Sequence, residues 1–376
     1  MSTPDHPADA GHLKFPVTSG SGGAALAGNG YAIDMHAHWT PRGLLRQNAA
    51  GKDWYGWKVH TDARGGEHAA LGERVLSFGV SRSLLTDPMA RAARRMEHEG
   101  IGMEALILTG IFWNYHLDEA RARSFTREAN DELAEVQGAF PDRFRGLALL
   151  PMQHPRLALE ELDHAVHHLG LTSVLVASNV RGMNLDEPSV LPVLEAAAAM
   201  GVSIVVHPVY WGKPGEERFP RYHFENSFGA PLESSLAAMS VVYSGLLDRH
   251  PDLRIMFTQG GGWIHFGIGR LNLRYAQRPE ASPMKKAPAD YLAQMYFDCL
   301  VHDDDSLELL KKRAGTDHIM IGTDHPGSGN IAGGAVQWIR NSALFTAEEK
   351  QRIQWKNAEV FLGLPTELRA RQGDAP

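Results

Sequence analysis

The sequence predicts an α/β protein, a closed (β/α)8 TIM barrel with a flap inserted after the first strand. Three observations predict it. Apolar, strand-like runs alternate with helix-like segments eight times after Tyr31, and that alternation builds a parallel sheet with helical crossovers. The five runs between 104 and 258 are almost continuously apolar, as strands covered on both faces must be. The 376 residues hold a barrel of about 250 residues with room for insertions. A doubly wound sheet is the structural alternative.

Taken in order, residues 1–29 are rich in Gly, Ala, Ser, Pro and His without a period. They read as a flexible tail ahead of a barrel domain over 30–376. The expected strands are 31–35, 104–109, 144–150, 173–177, 203–207, 254–258, 294–298 and 318–322. The expected helices are 88–99, 124–139, 156–169, 188–200, 231–249, 261–276, 303–314 and 346–361. The first carries Met89, Ala92, Ala93 and Met96 at helical spacing. The insertion runs from about 39 to 87, with Trp54, Tyr55 and Trp57 close together, and reads as a flap over the barrel mouth. A second long loop, 208–230, carries Trp211, Arg218, Arg221, Tyr222 and His223.

Composition excludes several classes. Apolar residues make up 43% and charged ones 22%, with a formal charge of −7, so the basic footprint of a nucleic-acid binder is missing. No apolar run approaches the roughly 20 residues of a membrane span. A single cysteine, Cys299, excludes an internal disulfide framework, and the start of the chain lacks a secretory pattern. The chain therefore reads as cytoplasmic.

Candidate chemistry lies where each strand ends, because barrel active sites sit at the C-terminal ends of the strands. Strand one closes in Ile33-Asp34-Met35-His36-Ala37-His38. Residues i and i+2 of a strand point the same way, so two imidazoles can aim at one point. Strand five closes in His207, strand six in Thr258-Gln259, strand seven in Asp298 and strand eight in Asp324. His36, His38, His207 and Asp324 form a set for one divalent cation, zinc or manganese. Strand four closes in Val176-Ala177-Ser178-Asn179, without the lysine that could bridge two metals. Asp298 reads as a hydrogen-bond partner. His302-Asp303-Asp304-Asp305 reads as a helix start, with acids at the positive end of the dipole. Cys299 reads as a small buried side chain.

These pieces resemble the amidohydrolase superfamily. More narrowly, the chain is similar to the branch named after aminocarboxymuconate-semialdehyde decarboxylase, which also holds resorcylate and carboxyvanillate decarboxylases. The resemblance spans about 31–363. It rests on 33–38, Phe140-Pro141-Asp142-Arg143-Phe144, Val206-His207-Pro208, 244–253, Gly260-Gly261-Gly262, Gly269-Arg270-Leu271, Gly322-Thr323-Asp324-His325-Pro326 and Asn357-Ala358-Glu359. It implies His36, His38, His207 and Asp324 as ligands of one metal ion per chain. It also implies non-oxidative loss of CO2 from a small aromatic, hydroxybenzoate-like or enoic carboxylic acid. The arginine at Arg270 would reach a neighbouring subunit's site and bind a substrate carboxylate, which implies a homodimer or larger homo-oligomer. Arg42, Arg74 and Arg82 are other carboxylate candidates.

One departure stands out. The family has histidine before the three glycines, and this chain has Gln259, which cannot exchange a proton near neutral pH. His265, His325, His223 and His302 are substitutes within reach. A second route needs none of them: Asp324 protonates the ring carbon, and His207 and Gln259 complete the catalytic set. Two other readings stay open on the same scaffold. One is a metal-dependent hydrolase or hydratase of a lactone, amide or unsaturated acid. The other is a catalytically silent family member kept for binding or assembly.

Overall fold

The computed structural model describes residues 31–79, 88–219, 221–279, 283–327, 331 and 333–364. The tail 1–29, residues 80–87 and Arg82 lie outside them. The apolar runs become eight barrel strands. These are β1 (Ala32–Trp39), β2 (Ile101–Leu108), β3 (Phe144–Gly146 continuing as Ala148–Leu149) and β4 (Ser173–Ala177). They are followed by β5 (Ser203–His207), β6 (Ile255–Phe257), β7 (Tyr296–Asp298) and β8 (Ile319–Met320).

Each strand pairs in parallel with the next: Glu104 with Phe144, Ala148 with Val174, Ala177 with His207, Phe257 with Val206 and with Phe297, and Asp298 with Met320. A parallel bridge between Asp34 and Ile321 returns β8 to β1, with Met35 N donating to Ile321 O at 2.8 Å. The ring is closed. Every residue of β1, β2, β4 and β5 is buried, which explains why these runs do not alternate.

The helices lie close to their expected places, and the differences have local causes. Helix Glu119–Ala139 starts before 124 because Asp118 caps it, accepting from Arg121 N. Its first turn is polar, so apolar periodicity does not mark it. Helix Leu191–Ala199 starts later than 188, with Pro192 in its first turn. The long run at 231–249 divides into Ala230–Tyr243 and Leu246–Arg249. Gly245 stands between them at φ 71°, a left-handed conformation that ends a helix. Helices Arg42–Ala49 and Ala335–Asn341 were not expected. Both are short, and neither has a side-chain cap.

The insertion holds helix Arg42–Ala49 and an antiparallel meander of Trp57–Thr61, Glu67–Leu71 and Arg74–Gly79. It docks through polar anchors. Arg42 Nε donates to Glu132 at 3.0 Å, Trp54 Nε1 to Glu128 at 3.3 Å and Trp57 Nε1 to Asn114 at 2.7 Å. Trp57 stacks on Trp211 at 6.0 Å, and the Arg74 guanidinium covers Trp211 at 5.3 Å. Arg42 and Arg74 thus hold the insertion in place. No helix among the described residues is long and apolar enough to cross a membrane.

Candidate metal centre

The end of β1 that carries His36 and His38 is shaped by its irregularity. Its pairing with β2 shifts register between Asp34 and Ala37, and such a bulge re-aims side chains. Asp34 turns to a buried polar group, where its Oδ1 accepts from His36 N at 3.0 Å and from Thr323 N at 3.1 Å. Arg95 donates to the Asp34 carboxylate, to Thr323 Oγ1 at 2.8 Å and to Glu104 at 3.1 Å. Arg91 adds 2.8 Å to Glu104 and 3.0 Å to His38 O. The start of β1, the middle of β2 and the residues after β8 are therefore tied together. Removing one partner of such a buried group costs about 3–5 kcal/mol.

That tie sets Asp324 opposite the two histidines. Asp324 follows Thr323 at φ 55°, and His325 O accepts from His38 N at 2.6 Å. Asp324 Oδ1 lies 2.8 Å from His38 Nε2 and 3.5 Å from His36 Nε2. His207 comes in from β5. The three imidazole centroids are 5.1, 5.1 and 4.9 Å apart, with rings nearly perpendicular. One ligand atom from each of His36, His38, His207 and Asp324 lies within 4.8 Å of all the others.

The second nitrogen of each ring is already engaged. His38 Nδ1 faces Leu108 O at 3.3 Å, and His207 Nδ1 faces Pro208 O at 2.9 Å. Carbonyls only accept, so these nitrogens carry the protons and leave Nε2 with a lone pair. His36 Nδ1 donates to Asp298 Oδ2 at 2.7 Å, and His36 Nε2 is buried without a hydrogen-bond partner. An orphaned imidazole nitrogen beside two others and a carboxylate is the donor set of a divalent cation, with its outer shell built.

The electrostatics agree. Burial, with His38 and His36 beside it, holds His207 well below its ordinary value and so neutral. Burial alone would raise the Asp324 carboxyl, but His38 first, then His36 and His207, outweigh it and hold it low. Burial alone would lower His36, but Asp298 and Asp324 raise it.

Asp298 is the partner expected of it. Its Oδ2 orients His36, and its Oδ1 accepts from Gly260 N at 2.7 Å and Leu300 N at 3.3 Å. Gly322 makes that possible, since a Cβ there would stand 2.6 Å from the Asp298 Cβ. Gly110 does the same for His207, with a 3.0 Å approach to its ring. The strand-end reading did not single out these two glycines, Asp34, Thr323 or Arg95. A glycine beside Thr323-Asp324 was the one local signal.

Gln259 stands at the end of β6 in the left-handed region, φ 58°. It is half-buried, and its Oε1 has no partner among the described residues. The histidines near it in sequence do not replace one at this position. His265 Nε2 donates to Gly260 O at 2.8 Å, because a carbonyl only accepts, and burial lowers the ring to about 4. His325 is lowered to about 3 by burial and by Arg95 and Arg91. His223 and His302 are exposed. Arg270 is also exposed, on the outer face of helix Ile264–Gln277. Cys299 is fully buried, with its thiol pushed up to about 12. Asp303 caps helix Asp304–Ala314, accepting from Ser306 N at 2.8 Å.

A family profile described as amidohydrolase matches residues 33–364. A 2-amino-3-carboxymuconate-6-semialdehyde decarboxylase of Dictyostelium discoideum is 30% identical over 339 residues, covering 88% of this chain and 91% of that protein. A gamma-resorcylate decarboxylase of Polaromonas sp. is 30% identical over 300 residues, covering 75% and 90%. A crystal structure of a dihydroxybenzoic acid decarboxylase from Polaromonas sp., with bound manganese and the inhibitor 2-nitroresorcinol, superposes with a TM-score of 0.71 at 26% identity. That likeness covers 89% of this chain and 97% of the other.

Proposed function

Because the chain belongs to the amidohydrolase family, we propose that it is a metal-dependent carboxy-lyase, removing CO2 non-oxidatively from an aromatic, hydroxybenzoate-like or enoic acid. The observation that carries this reading is the cluster of His36, His38, His207 and Asp324, with each Nδ1 already spent on an outer acceptor. The decarboxylase relatives, which align along most of the chain, support the reaction class.

The four side chains would hold one divalent ion, zinc or manganese, since three imidazoles suit zinc and the carboxylate also admits manganese. When bound, that ion supplies Lewis acidity toward substrate oxygens. Asp324 is the proton carrier. It is ionised in the free protein, so the proton it delivers is one it takes up as substrate arrives. It passes that proton to the carbon bearing the carboxylate. The bond to the carboxylate then breaks, its electron pair stays with the substrate, and CO2 leaves. His207 stays neutral and holds its place through Pro208 O. Gln259 offers its unpartnered Oε1 to a donor on the substrate and orients it.

Arg270 lies on an exposed stripe with Trp263, Phe266 and Leu273, which are 46%, 88% and 55% exposed. An apolar stripe of that kind suits a homodimer or larger homo-oligomer, in which Arg270 would reach the carboxylic acid in a neighbouring site. The Trp57–Trp211–Arg74 stack supports a role for the insertion as a flap on the barrel mouth. The lone buried cysteine fits a cytoplasmic location.

The test has two measurements. Metal is counted on protein purified without chelator, for the wild type and for His207→Ala. CO2 release is then followed on hydroxybenzoates with zinc or manganese added. About one metal per chain, lost in the variant, together with CO2 as product, is the expected result. Water addition or hydrolysis without CO2 would move the assignment to a hydrolase or hydratase. Metal binding without any turnover would leave a silent scaffold.

A further inference from the structure

Three basic side chains meet at the mouth of the barrel, on the side where β2 and β4 end. His116 follows Tyr115 in the segment after β2, Arg121 stands in the first turn of helix Glu119–Ala139, and Arg181 lies in the turn just after β4. Tyr115 brings the two segments together. Its hydroxyl accepts from Ala177 N at 3.4 Å, and its carbonyl accepts from Arg181 Nε at 2.5 Å. The Arg181 guanidinium therefore rests against the peptide that joins Tyr115 to His116. Arg181 reaches it from the tip of a tight turn. Val180 and Met183 form an antiparallel bridge, Asn179 Oδ1 accepts from Gly182 N at 2.8 Å, and Arg181 itself sits at φ 54°. That conformation costs a residue with a side chain about 1–2 kcal/mol, and the bonds around the turn hold Arg181 in it.

The charge there is not neutralised within the chain. Arg121 and Arg181 are exposed, and neither forms an ion pair among the described residues. Arg181 spends only Nε on the protein, so Nη1 and Nη2 keep their donors for a ligand. The nearest acids along the chain are engaged. Asp118 accepts from Arg121 N as the helix cap, and Glu119 lies 3.4 Å from Arg156. The three groups also feel one another: partial burial first, then Arg121 and Arg181, holds His116 below its ordinary value. The chain as a whole carries a formal charge of −7, which repels an anion at long range. A cluster of positive charge beside a cleft reverses that locally and raises the encounter rate of an anionic ligand. The cluster leads inward as well. The Tyr115 ring lies 5.8 Å from that of Trp113, which lies 6.4 Å from that of His207.

We propose that His116, Arg121 and Arg181 form an anion-capture site at the barrel mouth, which takes the carboxylate of the incoming acid before it reaches the His/Asp cluster. This rests on the reading of the substrate as a carboxylic acid. Both arginines are exposed, so they attract and align the acid on arrival, with a strength that salt screens.

The probe is benzoate, titrated at low salt into the metal-free, full-length chain with 15N-labelled histidine rings. The His116 resonance is identified by its loss in His116→Asn. Benzoate should shift it saturably, and benzyl alcohol, which carries no charge, should leave it in place. Arg181→Gln should weaken benzoate by roughly two- to fivefold, the effect of one charge at contact distance in water, and Arg121→Gln added to it should weaken benzoate further. Raising sodium chloride from roughly 20 to 500 mM should remove most of the response. The proposal is overturned if benzoate gives no saturable shift at low salt. It is also overturned if benzyl alcohol acts equally, which marks an uncharged contact, or if the double variant binds benzoate as the wild type does. Failure of the carboxy-lyase reading is distinguishable: hydroxybenzoates would yield no CO2 from the metal-loaded enzyme while the benzoate titration still saturates.

Discussion

His36 Nδ1 donates to Asp298 Oδ2 at 2.7 Å, and both side chains are fully buried. The same carboxylate holds the backbone after Gln259 through Gly260 N. One residue thus sets the ring plane of a candidate metal ligand and the position of the β6 turn. Asp298→Ala is expected to lower metal affinity by about 10–100-fold, the usual cost of losing a partner that orients a ligand. Chelator competition measures it, with a melting curve to show that the barrel persists. Unchanged affinity in a folded variant would remove Asp298 from the site.

Gln259 pairs backbone strain with an unpartnered amide oxygen. Gln259→Gly relieves the left-handed φ while adding the entropy of glycine, two effects that nearly cancel. Stability should change by no more than about 1 kcal/mol. Turnover efficiency should fall by about 10-fold or more, the worth of a hydrogen bond to a substrate group. A variant that keeps full kcat/KM would show that the amide only closes a turn.

The exposed stripe around Arg270 makes a prediction in solution. Phe266→Asp places a charge at a side chain 88% exposed in the single chain, so it leaves the barrel intact but breaks an interface formed there. Sedimentation equilibrium should show a dimer or larger for the wild type and a monomer for the variant. Arg270→Ala should keep the wild-type mass and lose kcat/KM. A wild type that sediments as a monomer would retire both expectations.

His265 makes stability depend on pH. It is buried behind the glycine turn, donating to Gly260 O at 2.8 Å, with its ring edge on Phe297 at 4.9 Å and Arg313 within electrostatic range. Burial first, then Arg313, lower it from 6.5 to about 4. Above pH 6.5 it is neutral in both folded and unfolded chains, and its contribution is full. As pH falls from 6.5 toward 4 the unfolded chain takes up the proton and the folded one does not, so stability is lost. The loss approaches about 3 kcal/mol by pH 4. Denaturant unfolding of the wild type and of His265→Leu over this range should show a shallower slope in the variant. Parallel slopes would place the acid sensitivity elsewhere.

Much of this was legible in the chain itself. Eight apolar runs, each of buried-strand length and separated by helical spacing, point to a parallel sheet covered on both faces, and their number and the chain length favour closure into a barrel over a doubly wound sheet. His36-Ala37-His38, His207 and Asp324 could be read as one set, because a barrel brings all strand ends to one rim. The Asp303 cap and the buried Cys299 followed from local chemistry. What the chain could not disclose is how those ends are held. The clamp of Asp34, Arg95 and Thr323 joins residues far apart in sequence. So do the bond from His36 to Asp298, the space that Gly322 leaves for Asp298, and the bond from Arg181 to Tyr115 O. Each depends on which side chains meet across the closed ring, and spacing along the chain carries no information about that. Residue types at strand ends determine what chemistry is available. The packing between strands decides which atoms are already satisfied and which are left for a ligand.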